Sequence, residues 1–180
     1  MRKKIIFIDI DGPLAWGTWG DGPVKINKNM SNEFTIPYAW VKEDCEALHK
    51  ICEATNAELV LSSDWKMHFT LRQMSDVFIE NGIHAKLIDI TTHMNTTQMG
   101  LWNKMSKPSL EFERANQILK WAKDNRISNW ITIDDMNLAN QFKFMQPRQP
   151  MWRHVQVDGD FGFGGRLRDK IDECIEKLNR

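Results

Sequence analysis

The sequence has a single tyrosine, three cysteines, no surplus of either charge and no long apolar run. Each shortage removes a class of function. Lysine plus arginine and aspartate plus glutamate both number 24, so no global basic field marks a nucleic-acid polymer as partner, and only a local patch could serve. Cys45, Cys52 and Cys174 make an odd set without metal-ligand spacing, and the five histidines at 49, 68, 84, 93 and 154 show no paired spacing. This argues against both a zinc site and a disulfide framework. Cys45 and Cys52 fall on one face of a helical pattern, which reads as reduced core cysteine in a cytoplasmic protein. No stretch approaches the ~20 apolar residues of a membrane span. The basic start Met1–Lys4 resembles the head of a signal peptide, but the apolar run behind it is broken by Asp9 and Asp11. The glycines between 159 and 165 lack the Gly-Lys-Ser/Thr of a phosphate loop and read as a turn before the last helix.

What is present is a series of apolar runs that end on oxygen-bearing side chains. Lys4 to Ile8 reads as a buried strand delivering Asp9 and Asp11 to its carboxyl end, about 7 Å apart if the strand continues. Buried carboxylates are costly unless paired or metal-bound, so a positive partner is expected there. A Gly-, Asn-, Pro- and Trp-rich stretch over residues 13–37 reads as a loop or small flap. Val41, Cys45, Leu48 and Cys52 then recur at helical spacing in a helix expected from Tyr38 to about Thr55. Glu58 to Ser63 is a second strand, ending on two hydroxyls. Leu71, Met74 and Phe78 mark a helix stopped at Asn81-Gly82.

His84 to Ile90 reads as a third strand, and 91–107 as a second irregular excursion. Ser109 is placed to cap a helix with Phe112, Ala115, Leu119 and Ala122 inward. Trp130 to Asp135 is a fourth strand, again ending on carboxylates, and His154 to Asp158 a weaker fifth. Leu167, Ile171, Cys174 and Leu178 line a final helix. Alternating strands and helices predict a parallel sheet covered on both faces, with ligands bound outside the strands' carboxyl ends.

On that reading Asp9/Asp11, Ser62/Ser63 and Asp134/Asp135 share one rim. Four carboxylates together call for a cation, and all-oxygen ligands favour Mg²⁺, which works with phosphates. A hydroxyl and a backbone amide opposite would hold an anion. The combination describes phosphoryl chemistry, with Asp as a candidate nucleophile.

The pattern resembles the haloacid dehalogenase (HAD) superfamily of phosphatases. Its four motifs read Phe7-Ile8-Asp9-Ile10-Asp11-Gly12, Leu59-Val60-Leu61-Ser62, a basic residue before or in the 109–123 helix, and Ile131-Thr132-Ile133-Asp134-Asp135. The stretch from Val60 to Lys66, the spacing of Arg114, Ile118 and Trp121, and the later Asp-Asp are most similar to the small HAD domains of RNA-repair proteins and their stand-alone relatives. Where that family's arginine follows the Ser-Trp pair, this chain has Lys66.

The resemblance implies a three-layer α/β sandwich, HAD-like and Rossmannoid. Its central parallel sheet would have strand order 3-2-1-4-5, with a minimal cap, in one domain over 1–180. It implies that Asp9 attacks phosphorus, that Asp11 serves as acid and base, and that Ser62 and the Gly12 backbone bind phosphate oxygens. Mg²⁺ would be held by Asp9, the Asp11 carbonyl, Asp134 and Asp135. Arg114 and Lys107 both qualify as the third-motif cation. Ser63 and Lys66 lie beside the substrate path. Trp16, Trp19 and Trp65 are placed either to stack on a nucleobase or to pack the loops.

The expected activity is Mg²⁺-dependent hydrolysis of a phosphate ester, with no obligate protein partner. A small cap leaves room for a nucleic-acid 3′-phosphate end, whereas the neutral charge favours a nucleotide. The alternative is a phosphate- or partner-binding module that has kept the fold without turnover.

Overall fold

The computed structural model describes residues 3–17, 24–25, 35–36, 38–92, 110–144, 149–157 and 165–180, with the backbone path alone described at 16–17, 24–25, 35–36, 38–39 and 110. In chain order the strands are β1 (Lys4–Ile8), β2 (Ala15–Gly17), β3 (Val24–Lys25), β4 (Thr35–Ile36), β5 (Tyr38–Trp40), β6 (Glu58–Leu61), β7 (Leu87–Ile90), β8 (Asn129–Asp134) and β9 (His154–Gln156). The α-helices are α1 (Lys42–Thr55), α2 (Leu71–Glu80), α3 (Leu110–Asp124), α4 (Leu138–Phe144) and α5 (Ile171–Asn179).

Five strands form one sheet in the order β7-β6-β1-β8-β9, all parallel. This is the expected order 3-2-1-4-5 of the main strands. β1 lies at the centre because its residues are apolar on both faces, as a doubly covered parallel strand requires. Alternate residues feed two cores. Ile6 and Ile8, with Leu59, Leu61, Ile131 and Ile133, meet Cys45, Leu48 and Ile51 of α1 and Met74 and Phe78 of α2. Ile5 and Phe7, with Val60 and Trp130, meet Ala115, Ile118 and Trp121 of α3 and Leu138 and Phe142 of α4. The sheet is thus the middle of three layers.

The cysteines are free and buried, and burial pushes the thiols of Cys45, Cys52 and Cys174 up to about 12. Asp44, on the first turn of α1, accepts from Arg166 Nε at 2.9 Å and from Arg166 Nη2, and from the Arg168 amide at 3.1 Å. Both side chains of this pair are buried, and it ties α1 to the approach of α5.

Some boundaries differ from expectation. Residues 38–40, expected to open the first helix, form β5 and pair antiparallel with β2; α1 begins only at Lys42. The pairing of Trp40 with Ala15 holds this backbone extended, overriding the helical spacing that starts at Val41. β3 and β4 pair antiparallel as well, so described parts of 13–37 and the residues just beyond make two short ladders. The third strand starts at Leu87 rather than His84, and the last helix is preceded by a 3₁₀ turn over Leu167–Lys170. A second 3₁₀ turn, Asp64–Met67, follows β6.

Candidate active site

The sheet register sets the geometry of the carboxyl rim. Ile8 pairs with Leu61 on one side and Ile133 on the other. The next residue of each strand is Asp9, Ser62 and Asp134, so a carboxylate, a hydroxyl and a second carboxylate stand side by side at strand spacing. The Asp9 amide donates to the Ile133 carbonyl at 3.0 Å and the Ser62 amide to the Ile8 carbonyl at 2.9 Å, which carries the sheet up to these residues.

All three are almost wholly buried. Asp9 Oδ1 accepts the Ile10 amide at 2.9 Å, and Asp9 Oδ2 faces Arg114 Nη1. The same Nη1 donates to both Asp134 oxygens at 3.3 and 3.1 Å, and Nη2 lies 3.5 Å from Asp64. Arg114 extends from the first half of α3 and is itself buried. Burial opposes its charge, but Asp9, Asp134 and Asp64 outweigh that and hold the guanidinium firmly protonated.

One guanidinium does not balance the negative charge. Ligand oxygens of Asp9, Asp134 and Asp135 all lie within 4.8 Å of one another. Burial first, and then the charge of Asp9, raises Asp134 well above the ordinary carboxylate range and Asp135 to about 6. Asp11, raised by burial and by Asp9, reaches about 7. Carboxylates driven toward protonation by one another are a donor set that a hard cation fits, since it would let them ionise together.

Gly12 permits this crowding. Its φ is +90°, and a Cβ placed there would come 2.8 Å from Asp135 Cβ. The Gly12 amide, expected to meet a phosphate oxygen, donates instead to the Ala15 carbonyl at 2.9 Å and closes the turn after β1. What Gly12 contributes is space.

On the other flank the two serines have different roles. Ser62 Oγ is buried and has no hydrogen-bond partner among the described residues. An orphaned buried hydroxyl is costly, and a ligand oxygen would relieve that cost. Ser63, expected beside the substrate, caps the 3₁₀ turn by accepting the Trp65 amide at 3.5 Å. Trp65 was a candidate for base stacking, yet it is only 4% exposed. Its ring sits against Trp40 and Phe69, and its indole N–H donates to Asp11 Oδ1 at 2.8 Å. Lys66 Nζ donates to Gln117 Oε1 at 2.5 Å and Thr91 Oγ1 at 3.0 Å. Burial, then the proximity of Arg114, lowers its ammonium to about 8.

The structure therefore brings Asp9, Asp11, Gly12, Ser62, Arg114, Asp134 and Asp135 to one rim, with Ser63, Trp65 and Lys66 behind or beside them. Lys107, Trp19 and the Trp16 side chain lie outside the described residues. The sequence reading missed Asp64, Thr91 and Gln117. Gln117 had a usable signal, since it lies three residues after Arg114 and so on the same helix face. Thr91 follows β7 as Ser62 follows β6. A cleft of about 810 Å³ opens at the opposite rim, among Lys4, His49, Glu58, His84 and Lys86. It contains none of this chemistry, and the rim geometry outweighs its size.

A family model described as the HAD domain in Swiss Army Knife RNA repair proteins matches residues 5–165. Comparison with curated proteins and with solved structures gave no match.

Proposed function

The chain belongs to the family of HAD domains found in Swiss Army Knife RNA repair proteins, and from that premise we propose that it is a Mg²⁺-dependent phosphomonoesterase working through Asp9. The observation that carries this reading is the placement of the Asp9 carboxylate between the Ser62 hydroxyl, which has no partner among the described residues, and the Asp134, Asp135 and Arg114 cluster. A phosphoryl group set over Asp9 would give Ser62 its missing partner.

Asp9, Asp134 and Asp135, with the Asp11 carbonyl, would hold Mg²⁺, which supplies charge neutralisation at the phosphoryl oxygens. Asp9 forms a bond to phosphorus as the ester P–O bond breaks, and Asp11 gives its proton to the departing oxygen. In the second half Asp11 takes a proton from water, the water oxygen bonds to phosphorus, and the bond to Asp9 breaks to release inorganic phosphate. Asp11 must be protonated in one half and ionised in the other, and burial, which raises it to about 7 in the metal-free protein, favours the protonated form that the first half needs. Arg114 holds Asp9 in place throughout, and Ser62 donates to a phosphoryl oxygen.

The substrate we propose is a nucleotide or a nucleic-acid 3′-phosphate end. The family's setting in RNA repair supports the polymer end, and the balanced charge of the chain supports the smaller ester. The test is phosphate release from a panel of nucleotides and 3′-phosphorylated oligonucleotides, with Mg²⁺ and with chelator. Release that needs Mg²⁺ and is lost in Asp9→Asn is expected. Binding of phosphate without turnover of any ester would favour a binding module instead.

A further inference from the structure

Trp65 has a partner that neither base stacking nor core packing requires. Its indole is sealed in by Trp40, with ring centroids 5.6 Å apart at 84°, and by Phe69, at 5.6 Å and 33°. The 3₁₀ turn Asp64–Met67, capped by Ser63, fixes its backbone. The ring therefore has little freedom, and its one polar atom is aimed at Asp11 Oδ1, 2.8 Å away and 54 residues distant in sequence. An indole N–H donates and never accepts. Asp11 Oδ1 then faces it as an acceptor, and when Asp11 carries a proton, the bond favours that proton on Oδ2, because a carbonyl oxygen accepts better than a hydroxyl.

We propose that Trp65 is a positioning residue for proton delivery, fixing the orientation of the Asp11 carboxyl and which of its two oxygens carries the proton to the departing ester oxygen. This rests on the hydrolase reading and adds to it a part for the segment after the second motif. The segment that follows β6 then supplies two devices. Ser62 meets the phosphoryl group, and Trp65, three residues on, sets the acid that releases the alcohol.

In the step concerned, the Asp9–phosphorus bond forms, the phosphorus–oxygen bond to the leaving group breaks, and the proton on Asp11 Oδ2 moves to that oxygen, which departs as a neutral alcohol. A leaving group stable as an anion needs no such proton. Trp65→Phe keeps the ring and removes the N–H, so its effect must grow with leaving-group basicity. Across p-nitrophenyl, phenyl and benzyl phosphate, kcat/KM is expected to fall less than about 3-fold for the first and about 10- to 100-fold for the last. Trp40→Phe, which alters the same packing without touching Asp11, should give no such gradient.

Equal losses on all three esters would overturn the positioning role and leave the hydrolase reading standing. A second measurement does not depend on Trp65→Phe folding: the indole ¹H–¹⁵N resonance of Trp65 should move, and exchange faster with solvent, in Asp11→Ala. An unmoved resonance overturns the pairing. Should the native protein turn over neither these esters nor the nucleotides and 3′-phosphorylated oligonucleotides while the indole still responds to Asp11→Ala, the hydrolase reading fails, the pair remains, and its catalytic use is overturned.

Discussion

Among the described residues two buried arginines meet aspartate, and they differ in how much negative charge surrounds them. Arg166 meets Asp44 through Nε and Nη2, and the Arg168 amide takes the other Asp44 oxygen. One carboxylate is matched by one guanidinium and a backbone donor. Arg114 meets Asp9, Asp134 and Asp64 with one guanidinium, and Asp135 and Asp11 stand close enough for their charges to be felt. The first arrangement sets one charge against one charge and ties two helical segments together. The second keeps an excess of negative charge at a strand end, which is unfavourable for folding and useful for binding a cation.

The contrast predicts opposite outcomes for the same chemical change. Asp9→Asn should reduce phosphate release by about 10⁴-fold or more, with a melting temperature equal to or above that of the native chain, because it removes one of several crowded charges. Asp44→Asn should do the reverse. Leaving Arg166 without its buried counter-ion should cost about 3–5 kcal/mol in denaturant unfolding, while kcat of the folded protein stays unchanged. A stable Asp44→Asn, or a destabilised Asp9→Asn, would break the distinction.

Protons and Mg²⁺ sharpen it further. Folding raises Asp11 from 3.8 to about 7 and Asp135 from 3.8 to about 6. The stability linked to their extra protons is fully present below about pH 4 and is lost as pH rises through 6 and 7. In calorimetry without metal, Asp135→Asn should flatten part of that decline. Millimolar Mg²⁺ should raise the melting temperature by several degrees at pH 7 and by less at pH 5, where protons compete. Asp44→Asn should keep this response and Asp134→Asn should lose it.

The smallest effects come from adjacent serines. Ser62→Ala should raise the stability of the ligand-free protein by about 1 kcal/mol, because it removes an orphaned buried hydroxyl, and lower kcat/KM by about 10²-fold, as loss of one donor to a developing anion does. Ser63→Ala should cost about 0.5–1 kcal/mol through the lost cap, with at most a few-fold change in rate. Comparable losses in both would mean that the two hydroxyls share a task.

Sequence made the rim legible because three apolar runs each stop on an oxygen-bearing side chain, and a parallel sheet leaves such ends no other place to go. It also pointed to Arg114, though only as a residue on a helix. Its meeting with Asp9, 105 residues away, depends on how α3 crosses the sheet. Trp65 was harder: a tryptophan after two serines reads equally as a stacking or a packing residue, and a four-residue 3₁₀ turn has no period to reveal where the indole goes. Asp44 has no motif or spacing in the sequence to mark it, and its partner lies 122 residues further on. β3 and β4, two residues each, are too short to show any alternation.

The pairing of Ile8 with Leu61 and Ile133 has a consequence for how the chain can go wrong. Side chains alternate between the faces of a sheet, so a slip of β1 by one residue would reverse every one of them. Such a slip would draw the charge of Asp9 in among the apolar side chains and push an isoleucine out to the rim. The site and the core are aligned by the same ladder of hydrogen bonds, which makes a well-packed protein with a misplaced Asp9 hard to form. Folding here proofreads the carboxyl rim.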